Sequence, residues 1–269
     1  MLKVTHLSKT YGSGPNATRA IGDLSFEIEA GEFVCIVGPS GCGKTTLLNA
    51  IAGFHEITSG QILLDGEVLC SAEKPKAEPS SDRIVVFQNG ALFPWKTNLE
   101  NVAFGPLMQG KLGKTDAFEK ARAMMADAGL AGVEHNYPGE VSSGMRRRVE
   151  IVRALMNEPK VLLLDEPYRA LDSLTKSVMH EALLEIYYRN KVTIFFITHD
   201  LEEAIFLGHK VAIMTTRPCK PKKILQVDIP HPRDYSVLTS KRFRELMEET
   251  NEAVHEEALK AFAAGEKEG

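Results

Sequence analysis

No apolar run in this chain reaches the roughly 18 to 20 residues needed to cross a bilayer, so any membrane task it serves requires another polypeptide for the crossing. The first residues, MLKVTHLSKTYG, lack the basic start, apolar stretch and small-residue cleavage site of a secretory signal. Basic charge is not in excess either: 32 Lys and Arg against 36 Asp and Glu leave a formal net charge of -4. A nucleic-acid partner is therefore not expected, because such binding relies on a strongly basic patch or stripe. Cysteine is sparse. Cys35, Cys42, Cys70 and Cys219 lie far apart in sequence without CxxC spacing, which implies neither a zinc site nor a disulfide framework and fits a reducing compartment. What remains is an ordinary globular composition, 43% hydrophobic and 25% charged, in 269 residues. That length supports a sizeable core.

The chain begins with alternating pieces, LKVTHL and LSFEIE, separated by the Gly/Pro-containing YGSGPNATRA, the pattern of short antiparallel strands. EFVCIVG follows as a buried strand running into a glycine-rich loop and a helix. QILLDGEVL reads as a hairpin turning at Asp65 and Gly66, residues 73 to 82 as a polar loop, and IVVFQ as a further strand. From about 91 to 158 the pattern is helical, a segment suited to contact with a partner. VLLLDEP and VTIFFITHD are short apolar runs ending in polar residues, with a helical pattern between them. A strand, helix, strand unit predicts parallel pairing through a right-handed crossover. In such α/β sheets ligands gather at the carboxyl ends of the strands. IMTT and KKILQVDI predict a closing strand pair. Beyond PHPRD, Phe243, Leu246, Met247, Val254, Leu259 and Phe262 fall at helical spacing and predict an amphipathic helix or helix pair packed on its own domain.

GPSGCGKT matches G-x-x-x-x-G-K-[ST] after a predicted strand and before a predicted helix. Glycines allow successive backbone N–H groups to converge on an anion at a helix N-terminus. Gly38, Pro39, Ser40, Gly41, Cys42, Gly43, Lys44, Thr45 and Thr46 are thus candidates for ATP binding, with Lys44 reaching the β and γ phosphates and the Thr45 hydroxyl ligating Mg²⁺. Asp165 closes the VLLLD strand, where a hard cation finds oxygen ligands, and Glu166 follows it. Cys42, beside a phosphate nest and Lys44, is placed where a thiolate gains stabilisation.

These motifs stand in an order that resembles the ATP-binding cassette ATPases: Walker A at 38–45, a Q-loop glutamine at Gln88, the signature VSSGM, the Walker B strand VLLLDE, a D-loop in RALD and a switch histidine in FFITHD. The resemblance covers about residues 1 to 230. It implies a mixed α/β P-loop NTPase core with an N-terminal antiparallel β subdomain, a helical subdomain at about 91–158, and a helical tail over 231–269. It further implies Glu166 as general base, a role that requires reach to the attacking water, with His199 at the γ-phosphate and Gln88 at the metal or the water. Tyr11 is placed to stack on adenine, and Asp172 to cross between two nucleotide sites. Ser142, Ser143, Gly144 and Met145 then cover the ATP held by a second subunit. Two signature positions depart from LSGGM, Val141 for Leu and Ser143 for Gly, while Arg147 stands where many relatives have Gln and Arg169 where many have Gly. A serine at 143 costs about 1 kcal/mol if its φ is positive and little otherwise.

LFPWKTNLENVAFG, SSGMRRRVEIVRAL and IPHPRD resemble the nitrate, sulfonate, taurine and bicarbonate importer ATPases. That likeness implies ATP and Mg²⁺ as ligands and a peripheral position on the cytoplasmic face of the cell membrane. Its implied partners are transmembrane permease subunits docked near Gln88 and Trp95, a second ATPase subunit, identical or paralogous, and indirectly a substrate-binding protein. The alternatives are an exporter ATPase, a low-turnover regulatory subunit, and an ABC ATPase of repair or translation.

Overall fold

The computed structural model describes residues 1–169 and 171–263. Ala170 of the RALD segment and residues 264–269 of the expected tail lie outside the described residues. The strands are β1 (Leu2–Tyr11), β2 (Thr18–Ile28), β3 (Phe33–Val37), β4 (Ser59–Leu64), β5 (Glu67–Cys70), β6 (Arg83–Val86), β7 (Val161–Asp165), β8 (Thr193–Ile197), β9 (Lys210–Met214) and β10 (Pro221–Gln226). The helices are α1 (Lys44–Ala52), α2 (Asn98–Met108), α3 (Lys114–Asp127), α4 (Ser143–Leu155), α5 (Ser173–Asn190), α6 (Leu201–Leu207) and α7 (Lys241–Ala263).

Two sheets form. One is antiparallel in the order β2-β1-β4-β5, and the other runs β10-β9-β3-β8-β7-β6 with only the β10–β9 pair antiparallel. The hairpin between β4 and β5 turns at Asp65 and Gly66, both at positive φ (51° and 85°), as a two-residue turn matched to strand twist requires. Strands of the parallel sheet are apolar at consecutive positions because both faces are covered. Val34, Ile36, Leu163 and Phe195 join the core shared with the antiparallel sheet and α1, while Phe33, Cys35, Leu162, Leu164 and Phe196 join the core beneath the other helices.

Helix α2 opens with a capping box: Glu100 N–H donates to the Thr97 hydroxyl and Thr97 N–H donates to the Glu100 carboxylate. Helices α2, α3 and α4 pack on one another. Helix α7 lies against α6, β9 and β10. Its buried face departs from the sequence expectation. Phe243 and Leu246 are buried, but the stripe continues through Thr250, Ala253, Glu257 and Ala261, leaving Leu259 and Phe262 exposed. The 3.6-residue period carries the contact face along 246, 250, 253, 257 and 261, and Leu259 and Phe262 lie off that line. Glu257 is accommodated there because its carboxylate takes Lys222 at 3.2 Å, Lys260 at 2.6 Å and the Thr216 N–H at 3.0 Å.

Candidate functional site

The loop between β3 and α1 is built from glycines that other residues fit poorly. Gly43 has φ 125°, and a Cβ there would stand 2.7 Å from the Ala20 carbonyl oxygen and 2.9 Å from the Cys219 Cβ. The loop opens onto a cleft lined by Ser40, Gly41, Gly43, Lys44, Thr45, Thr46, Gln88, Asp165, Glu166, Arg169 and Arg217. Lys44 donates to the Gly38 and Pro39 carbonyls at 2.8 and 2.9 Å. Three cationic side chains thus face a space whose walls also offer backbone N–H groups at a helix start, an arrangement suited to a polyphosphate.

Across the cleft stands the end of β7. The Thr45 hydroxyl donates to Asp165 Oδ1 at 3.3 Å, and burial, then the neighbouring Glu166 charge, raise the Asp165 carboxyl above its ordinary range. These two oxygen groups and the exposed Gln88 amide are hard donors of the kind Mg²⁺ takes together with phosphate oxygens. Gln88 lies two residues past the end of β6, on the loop and not on the strand. Glu166 has φ 44°, uncommon for a residue with a side chain and worth roughly 1 kcal/mol or more of strain. Its N–H is held by the Ile197 carbonyl at 2.9 Å. Its Oε2 lies 3.2 Å from Arg169 Nη1 and 3.4 Å from His199 Nδ1. The fold thus gathers Walker A, Gln88, Asp165, Glu166 and His199.

Other expected residues stand apart from that cleft. Tyr11, at the end of β1, shares a hydrogen bond of 2.9 Å with His55 Nδ1 and lies beneath Lys9 Nζ, 4.8 Å from its ring centre. Asp172 caps α5, accepting from Thr175 N–H at 2.9 Å and from the Thr175 hydroxyl at 2.6 Å. Ser142 caps α4 through the Met145 N–H at 3.3 Å. Ser143 is the first residue of α4 and is not among the positive-φ positions, so its side chain adds no backbone strain. Gly144 and Met145 follow it in the first turn of α4.

Several side chains here were not singled out as site residues from the sequence. Arg217 Nε donates to the Gly41 carbonyl at 2.7 Å and braces the phosphate loop from the β9–β10 turn. Arg147 donates to the carbonyls of Phe87 and Gln88, both at 2.7 Å, and pairs with the buried Glu150. Glu150 accepts the Ala91 N–H at 2.9 Å, and Arg153 donates to the Ala91 carbonyl at 2.6 Å. One face of α4 therefore holds the backbone at residues 87, 88 and 91, just past β6. Cys42 and Cys219, remote in sequence, meet behind the phosphate loop. Contact with the Cys219 thiol lowers Cys42 to about 7 despite burial, with Lys44 assisting, while the same contact and burial push Cys219 up. All four cysteines are free thiols.

Beside α4 lies an apolar groove lined by Val86, Phe87, Ala91, Phe104, Glu150 and Arg153, among others. Phe93 bridges this groove to Trp95: its ring centre is 4.8 Å from that of Phe104 and 5.5 Å from that of Trp95, which is 71% exposed.

The profile of the ABC transporter family matches residues 21–169, more than half of the chain. The chain belongs to the ABC transporter family. It is similar to the aliphatic sulfonates import ATP-binding protein SsuB of Bacillus cereus, at 38% identity over 91% of this chain and 92% of that protein. It is similar also to the nitrate import ATP-binding protein NrtD of Synechocystis sp., at 42% identity over 85% of this chain and 83% of that one. Among solved structures it resembles a dimeric post-hydrolysis state of an ATP-binding cassette bound to ADP and Pi, with TM-score 0.72, 28% identity, and coverage of 86% of this chain and 100% of that chain. This ABC transporter subunit is the ATPase component of its family, and no helix among its described residues is long and apolar enough to cross a membrane.

Proposed function

We propose that this subunit hydrolyses ATP at the cytoplasmic face of a membrane to drive import of a small anionic solute of the nitrate or sulfonate type. The observation that carries the hydrolytic part is the meeting in one cleft of Lys44, the Thr45–Asp165 pair and a strained Glu166 beside His199. Resemblance of the chain to SsuB and NrtD supports the import direction and the solute class. The solute itself is met by a permease and an external binding protein.

In this reading Lys44 and the loop amides hold the β and γ phosphates, and Tyr11 faces the adenine. Thr45, Asp165 and Gln88 hold Mg²⁺, which neutralises charge developing on the phosphates when bound. Glu166 accepts the proton of the attacking water, and His199 orients Glu166 and the γ-phosphate. Two subunits face each other so that Ser142, Ser143, Gly144 and Met145 at the N-terminus of α4 cover the partner's nucleotide, with Asp172 near the crossing. A permease helix seats in the groove bordered by Phe87 and Phe104, next to Trp95.

The test is Glu166→Gln in the full chain. ATP should bind with affinity within about threefold of wild type, while hydrolysis falls by at least 100-fold, the scale of a lost general base. Hydrolysis at the wild-type rate removes Glu166 from that role.

A further inference from the structure

We infer that Tyr235, His180 and Glu203 are positioning residues for the loop that carries His199, so that the segment beyond residue 230 sets where that histidine stands. The inference rests on the reading of His199 and Glu166 as parts of a hydrolytic centre.

The contacts form one continuous line. The Tyr235 hydroxyl, in the turn that follows Asp234, meets His180 Nδ1 at 2.9 Å. His180 Nε2 meets Glu203 Oε1 at 2.7 Å, and Glu203 Oε2 accepts the Thr198 hydroxyl. Thr198 Oγ1 in turn accepts the Asp200 N–H at 3.0 Å, closing a turn around His199. Asp200 caps α6 through the Glu203 N–H at 3.2 Å and is tied to Lys176 at 3.3 Å. His180, Thr198 and Glu203 are all buried.

The donors and acceptors fix the order. A carboxylate accepts only, so His180 presents Nε2–H to Glu203, and its Nδ1 meets the Tyr235 hydroxyl, which can donate or accept. Loss of the Tyr235 hydroxyl leaves that nitrogen without its partner inside the protein and lets the ring turn. Tyr235 also stacks on Phe206 of α6, ring centres 4.6 Å apart. Each link lies on a different piece of chain: the segment after 230, α5, α6 and the β8 exit. The line reaches the strand that leads into the glycine-rich loop at Thr198, whose N–H donates to the Ile36 carbonyl of β3 at 3.2 Å.

The experiment uses Tyr235→Phe in the full chain, which removes one oxygen and keeps the stacked ring. We expect kcat for ATP to fall about 3- to 10-fold, the scale of one buried hydrogen bond, with KM within twofold and one nucleotide analogue still bound per chain. Amide hydrogen exchange should speed up in residues 198–203 while α7 keeps its protection. A kcat within 1.5-fold of wild type with unchanged exchange at 198–203 overturns the inference, as does deprotection confined to α7. Absence of hydrolysis by the wild-type chain would count against the hydrolytic reading, whereas the exchange measurement judges the relay regardless of turnover.

Discussion

Replacing Arg233 by Met should lower the melting temperature by about 6 to 12 °C. Arg233 is 5% exposed, and its guanidinium donates to five backbone carbonyls: Ile205 at 2.8 Å, Phe206 at 3.0 Å, Gly208 at 2.8 Å, Val227 at 3.3 Å and Ile229 at 2.9 Å. Ile205 and Phe206 belong to the last turn of α6, where backbone carbonyls lack intrahelical partners. A cation there also offsets the negative end of the helix dipole. Burial lowers the guanidinium to about 10, so it stays protonated at neutral pH. Methionine fills much of the same volume but donates nothing. Each buried acceptor left unsatisfied costs roughly 1–3 kcal/mol, and relief from burying a charge offsets part of that. With two or three acceptors orphaned, a net loss of about 3 kcal/mol follows, and roughly 2–4 °C per kcal/mol for a chain of this size gives the stated shift. Arg233→Lys should lie between the two, because an ammonium has three donors and no planar fork. Scanning calorimetry at fixed scan rate measures all three proteins. A Met variant melting within about 2 °C of wild type would show that these carbonyls do not depend on the guanidinium.

Acid should weaken the same region. His231 is lowered to about 3, by burial first and then by Arg233 and His209, against about 6.5 in an unfolded chain. Because the unfolded chain binds the proton more readily, this residue's contribution to stability falls as pH drops from about 6.5 toward 3. Urea midpoints should decline over that window in wild type and decline less in His231→Phe; identical slopes would contradict the assignment. Arg147→Gln should leave Glu150 buried without its cation and cost about 3 kcal/mol, with faster amide exchange at residues 87–91. The double variant with Glu150→Gln should recover most of that loss in a urea titration, and strictly additive losses would show that the pair is not coupled.

The candidate site was legible in the sequence wherever its residues are neighbours along the chain. The glycine-rich run from Gly38 to Thr45 announces itself by its own spacing, and Asp165 and Glu166 by ending an apolar strand, and the fold brings residues of both to one cleft. The fold class was legible for a related reason: uninterrupted apolar strands such as VLLLD and TIFFI reveal that both faces are covered. The contacts of Arg147 and Arg217 were opaque because they bind backbone carbonyls, which every residue type offers, far away along the chain. The meeting of Cys42 with Cys219 was hidden similarly, since no short spacing announces it. In α7 the apolar residues misled. Leu259 and Phe262 attract notice by hydropathy, yet the contact face is set by helical phase and includes Thr250 and Glu257.

Helix α4 has a mechanical meaning that its separate contacts do not express. Arg147, Glu150 and Arg153, spaced three apart, fasten it to the backbone at 87–91, while Ser142 forms its opposite end. The distance from Ser142 to Arg153 along such a rod is about 16 Å at 1.5 Å per residue. A tilt of about 5° imposed at the Arg153 end therefore moves the Ser142 end by roughly 1.4 Å, half the length of a hydrogen bond. The helix is a lever arm running from the backbone at 87–91 to Ser142, and Arg147 is the rivet that keeps the arm from slipping on its mount.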